Sequence, residues 1–123
     1  MNDNILFIPD NNARLSLSKK LNLEFHVSMQ DWEYEIADSD RIQEFIEEYD
    51  KSESTDKERQ SLMEMILDSS NDLLVDHRTV EFEKFFSAIT VRLKRESILH
   101  EGTINYWKTN DSEISKRLID EGI

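Results

Sequence analysis

The sequence predicts a mainly α protein: a small helical bundle of three to four helices behind an extended or short β-hairpin N-terminal segment. Three observations predict it. The 123 residues include one Pro (Pro9) and two Gly (Gly102 and Gly122), too few breakers for a turn-rich β fold. From residue 38 onward apolar residues recur at intervals of three and four, the period of an amphipathic helix. Before that point apolar and polar residues alternate, the period of a strand.

The chain is long enough to bury a core without disulfides or a metal staple. A single domain is expected over residues 1–123, with an extended or β-like segment at 1–30 and the helical bundle at 38–120. Residues 1–12 read as an extended start and a polar turn. Leu15, Leu17, Leu21, Leu23, Phe25, Val27 and Met29 alternate with polar residues, so residues 13–29 suit either a short hairpin turning near Ser18-Lys19-Lys20 or an extended arm lying over helices. Trp32, Tyr34 and Ile36 continue the alternation.

A first helix follows, capped by Asp38, Ser39 or Asp40, with Ile42, Phe45, Ile46 and Tyr49 on its apolar side. Thr55-Asp56-Lys57-Glu58 is a capping box and the clearest local signal in the chain. The helix it opens carries Leu62, Met65, Ile66, Ser69 and Leu73 on one side and is expected to run to about Leu74. Val80, Phe82, Phe85, Phe86, Ile89 and Leu93 mark a third helix continuing to Leu99, with Gly102 placed to end it in a left-handed conformation. Thr103 to Lys108 reads as a connector, and Asn110 as the cap of a last short helix containing Ile114, Leu118 and Ile119.

Composition narrows the function. The formal net charge is −12, which disfavours direct binding to nucleic acid or to an anionic membrane and favours a basic partner. The excess is uneven: residues 1–50 hold 4 Lys+Arg against 12 Asp+Glu, residues 51–77 hold 3 against 7, and residues 78–123 hold 8 of each. The absence of Cys excludes disulfides and thiolate zinc sites and suits a reducing compartment. Ile5-Leu6-Phe7-Ile8, the one apolar run near the N-terminus, is too short for a signal peptide or a membrane span, so the expected location is cytoplasmic.

Motifs that carry chemistry are missing. Gly is too scarce for a phosphate-cradling loop, and no Ser is flanked by Gly as in a nucleophile elbow. Glu96 and His100 stand four apart, a spacing that offers two metal ligands but lacks the others a site needs. His77 beside Asp76 reads as a surface pair, and the neighbouring carboxylates Glu33 and Glu35, Glu47 and Glu48, and Glu81 and Glu83 as solvated faces. No catalytic residue, metal or cofactor is assigned, and no enzymatic activity is expected.

Two acidic groupings are more pointed. Glu64, Asp68 and Asp72 stand at i, i+4 and i+8 of one helix, a like-charge ladder that costs roughly a few tenths of a kcal/mol per pair. Glu44, Glu47, Glu48 and Asp50 surround the end of the first helix, with Tyr49 among them. If the two helices pack antiparallel, the groups adjoin. Each is a solvated face or a docking surface for a basic protein, whose approach the field would accelerate. Tyr34, Tyr49 and Tyr106 suit an interface, where Tyr is enriched, whereas Trp32 and Trp107 suit the core. Arg92-Lys94-Arg95, the one basic cluster, suits the chain's own carboxylates better than nucleic acid. Candidate partner-binding residues are therefore Tyr34, Glu44, Glu47, Glu48, Tyr49, Asp50, Glu64, Asp68 and Asp72.

Asp31-Trp32-Glu33-Tyr34-Glu35-Ile36-Ala37-Asp38, Arg41-Ile42, Glu44-Phe45-Ile46, Leu62-Met63-Glu64-Met65-Ile66, Tyr106-Trp107, Glu113-Ile114-Ser115 and Arg117 together resemble a group of small acidic bacterial proteins, the immunity proteins of polymorphic and contact-dependent toxin systems. The resemblance covers roughly residues 30–118 and leaves out the first thirty. It implies a stoichiometric inhibitor that binds one cognate toxin domain, commonly a basic nuclease, through carboxylates and aromatics. The alternatives are a protein-binding adaptor or regulator unrelated to toxins, a nucleic-acid mimic with carboxylates spaced like phosphates, and an enzyme built on a carboxylate pair or a His with metal. A monomer or weak dimer is expected, a dimer using the apolar third helix.

Overall fold

The computed structural model describes residues 7–123. Between Ser61 and Ser70 every residue but Asp68 is buried, so the helix that carries them is enclosed on all sides. This helix, α4 (Asp56–Val75), is the axis of the protein, and Ser61, Ser69 and Ser70 on it let neighbours approach closely. Around it pack α1 (Asn11–Leu21), α2 (Trp32–Glu35), α3 (Ile42–Tyr49), α5 (Thr79–Arg95), α6 (Glu101–Thr109) and α7 (Glu113–Asp120). Trp32, Phe45, Tyr49, Leu62, Met65, Ile66, Phe82, Leu93, Trp107 and Ile114 meet in one continuous core.

The fold is mainly helical, as expected, but seven helices among the described residues replace the expected three to four, and no strand occurs there. The N-terminal correction is the largest. Residues 11–21 form a helix, not a hairpin arm, because Ala13, Leu17 and Leu21 at intervals of four share a buried face while Leu15 is left half exposed. Asp10 caps it by accepting from the Ala13 amide at 2.9 Å, and Lys19 and Lys20 complement the dipole at its end. Asn22 then turns left-handed (φ 54°) and closes the helix. The alternation of Leu23 and Phe25 belongs to an extended strap without a pairing partner, anchored where the Trp32 indole donates to the Glu24 carbonyl at 2.6 Å. Of the extended start read over residues 1–12, residues 1–6 lie outside the described residues.

Trp32, Tyr34 and Ile36 are likewise not a strand but a single helical turn that buries Trp32 and Glu33 together. The start of α3 also differs: Arg41 occupies its cap, while Asp38 accepts from the Asp40 amide and its own amide donates to Ser69. The capping box of α4 forms as expected. Thr55 accepts from the Glu58 amide at 3.1 Å, and Glu58 accepts from the Thr55 amide at 2.9 Å. The other Glu58 oxygen accepts from Ser16 and Lys20, tying α1 to the same point.

The third expected helix stops at Arg95, not Leu99, and Gly102 ends nothing: it is buried in the first turn of α6. The stretch read as a connector is that helix, held by Ile104 and Trp107 packing on the core. Ser112, not Asn110, caps α7; its amide donates to Ser115 at 3.0 Å. The apolar side of α5 (Phe82, Phe86, Ile89 and Leu93) is buried within the chain's own core, which removes it as a dimer face. No helix among the described residues is long and apolar enough to cross a membrane.

Candidate docking site on the central helix

Each buried carboxylate away from the 64–72 ladder has a cation. Glu33 forms a bidentate pair with Arg14 (2.6 and 3.0 Å), and Ser61 donates to it as well. Glu48 pairs with Lys51 at 3.0 Å and Glu58 with Lys20 at 3.0 Å. Burial alone would raise the Glu58 carboxyl, but donors from Ser16, Thr55 and Lys20 outweigh it and hold the group below its ordinary value.

Glu64, Asp68 and Asp72 differ. Among the described residues none of them forms a salt bridge. Their burial is graded along the helix: Glu64 is 1% exposed, Asp68 is half-buried and Asp72 is exposed. Two elements distant in sequence position Glu64. The Tyr34 hydroxyl from α2 donates to Oε1 at 2.5 Å, and the Trp107 indole from α6 donates to the same oxygen at 3.3 Å. Burial still dominates and raises the Glu64 carboxyl above its ordinary value, against the donors Thr103, Tyr34 and Trp107. Asp68 is pushed up to about 6 by burial, then by the charges of Asp72 and Glu64. Asp72 is raised by burial and by Asp76.

A cleft of about 210 Å³ opens onto Glu64, and its other walls are Phe7, Tyr34, Gly102 and Tyr106. Trp107 stands edge-on to both Tyr34 (6.2 Å between centroids) and Tyr106 (5.6 Å), which fixes the two phenol rings. Burial and the Glu64 charge raise the Tyr34 hydroxyl, so it stays a donor at neutral pH. A lone carboxylate at the end of an aromatic-walled cleft is chemistry that receives a cation, by charge at the oxygen and by the ring quadrupoles at the sides. Further acids stand close by: the Asp38 amide binds Ser69, and the Ile114 amide binds Asn71, which places Asp38 and Glu113 beside this stretch of α4.

The second acidic group does not join this site. Glu44 is held by Arg41, Glu47 accepts from Gln43, Glu48 is buried, and Asp50 makes a bidentate pair with Arg92 of α5. Tyr49 is buried, and its hydroxyl donates to Glu96 and lies 2.7 Å from His100 Nε2. That phenol has one hydrogen, already given to Glu96, so Nε2 carries the ring proton and donates to Tyr49. Glu96 and His100 therefore meet as the sequence spacing allows, but across a break between α5 and α6 and around a tyrosine. No group of three His, Asp or Glu side chains converges as metal ligands among the described residues.

The sequence reading gave Tyr106 to an interface but left it out of the candidate residues, and it missed Gly102 as a cleft wall and Trp107 as a donor. A usable signal for the site was Glu64 itself, the one charged residue in the run Leu62–Leu67. Comparison with known proteins finds no family whose model matches the chain, and no curated protein or solved structure similar to it.

Proposed function

We propose that this protein acts by binding a basic protein and neutralising it, as an immunity protein neutralises its cognate toxin domain. A Lys or Arg side chain of the partner enters the cleft to Glu64, while Asp68 and Asp72 meet flanking cations along the exposed part of α4. The observation that carries this reading is the contrast in pairing: the buried carboxylates Glu33, Glu48 and Glu58 are neutralised internally, whereas buried Glu64 has no cation and heads a row that has none among the described residues. An uncompensated buried charge destabilises the free protein, and a partner's cation would relieve that cost on binding. The acidic excess of the chain supports the same polarity of partner.

Nucleic-acid mimicry is less well supported, because with Glu64 buried and Asp68 half-buried the row keeps one exposed carboxylate, too few to imitate a run of phosphates. The adaptor reading uses the same site on a different basic protein. The test is direct: the product of the adjoining gene is purified and mixed with this protein, and complex formation and loss of that product's toxicity are measured. The immunity reading expects a one-to-one complex and full inhibition, both abolished in Asp68→Lys/Asp72→Lys. A complex that survives this double reversal, or no complex at all, rejects the reading.

A further inference from the structure

Glu64 brings charge to its cleft but little capacity to accept hydrogen bonds. It is 1% exposed, and its Oε1 already accepts from the Tyr34 hydroxyl at 2.5 Å and the Trp107 indole at 3.3 Å. Thr103 is a third donor to the carboxylate. None of these donors is charged, so the hydrogen-bonding need of Glu64 is met from within the chain while its negative charge is not. The other walls are rings and bare backbone. Phe7, Tyr34 and Tyr106 line the cleft with aromatic side chains, and Gly102 lines it with no side chain at all. Trp107 stands edge-on to both Tyr34 and Tyr106, so one indole fixes the two phenols before any ligand arrives.

Which cation suits such a cleft follows from its hydrogens. A lysine ammonium carries several N–H donors and a guanidinium more, and each one taken out of water without an acceptor is costly. A quaternary ammonium has none. Its charge is spread over methyl groups, which lie against aromatic rings and need only a countercharge nearby. A cleft of about 210 Å³ with three rings and one internally satisfied carboxylate matches that chemistry better than it matches a hydrogen-bonding cation.

We propose that this cleft is an aromatic cage for a trimethylammonium group, with Glu64 as its countercharge and Phe7, Tyr34 and Tyr106 as its rings. The proposal rests on the reading that the cleft receives a cation, and it specifies the class of cation. The test is nitrogen-15 NMR titration of the full chain with choline, at constant ionic strength with sodium as the balancing cation. Saturable shifts of the Trp107 indole N–H and the Gly102 amide are expected. Ethanolamine, the unmethylated counterpart, and the neutral isostere of choline with a tert-butyl group in place of trimethylammonium are each expected to bind at least about tenfold more weakly. Tyr106→Leu, which keeps apolar bulk and removes one half-exposed ring, is expected to weaken choline about fivefold. A short peptide with one trimethylated lysine, run beside choline, separates a protein-borne group from a free one: the tighter binder names the carrier. The proposal is overturned if neither choline nor that peptide shifts Trp107 and Gly102 saturably. It is equally overturned if ethanolamine or the neutral isostere binds as tightly as the methylated probes, or if Tyr106→Leu, folded by circular dichroism, binds as the wild type does. An unmethylated lysine-rich peptide keeps the two readings apart: its binding alone upholds the docking surface and sinks the cage, and choline binding alone does the reverse.

Discussion

Asp68 and His100 carry pKa shifts whose consequences for stability are opposite. Asp68 rises from 3.8 to about 6, chiefly by burial, so the folded chain holds a proton that the unfolded chain has lost between those values. Stability therefore falls as pH rises through that window, by about 1 kcal/mol once the solvent-exposed half of the carboxyl is discounted for screening. His100 is lowered from 6.5 to about 4, again chiefly by burial, and the unfolded chain binds the extra proton. Its contribution is present above 6.5 and is lost as pH falls toward 4, a swing of about 3 kcal/mol. Urea denaturation across this range is expected to show Asp68→Asn more stable than wild type at neutral pH and steeper in its loss on acidification, whereas His100→Gln flattens that loss. The Arg14–Glu33 pair gives a further residue-level test. Arg14→Met strands a buried carboxylate and is expected to cost about 3 kcal/mol, most of it recovered in Arg14→Met/Glu33→Met. Apart from the isolation of Glu64 in the run Leu62–Leu67, these environments were not legible in the sequence. Glu64, Asp68 and Asp72 are chemically alike at equal spacing, and only the arrival of Tyr34 and Trp107 from distant elements makes the first an interior group.

Elements were legible where local chemistry decides them and obscure where packing does. The capping box at Thr55 and Glu58 needs no tertiary partner and was read correctly; Thr55→Ala is expected to cost about 1 kcal/mol in thermal or chemical denaturation. The end of α4 has no Gly, because His77 takes the left-handed position itself (φ 59°), with the Arg78 amide bonded back to Leu73 and the His77 amide to Leu74. His77→Gly is expected to stabilise the protein by about 1 kcal/mol, since it relieves that conformation in a residue with a β-carbon. Segments 11–21 and 101–109 were misread for a shared reason. Each has modest propensity and a pattern that also fits something else: alternating leucines in one, a helix-breaking Gly in the other. Burial of Leu17 and Leu21, and of Ile104 and Trp107, against the rest of the molecule settles both as helices.

At the scale of the whole molecule, the segmental charge count pointed to an acidic surface but not to its location. The fold treats the acids unequally. One set is consumed by internal pairs such as Asp50–Arg92 and Glu83–Arg117; of those without cations, Glu64, Asp68 and Asp72 line up along α4 and are raised by burial. Docking of a basic protein at this row is the central claim, and nitrogen-15 NMR titration with a lysine- and arginine-rich peptide tests it most directly. The account predicts that the Trp107 indole N–H and the Gly102 amide shift together on titration. It predicts loss of these shifts in Asp68→Lys/Asp72→Lys, and their retention in Asp120→Lys/Glu121→Lys, which changes the net charge equally at the exposed end of α7. Shifts that spare Trp107 and Gly102, or that vanish equally in both double variants, would contradict it.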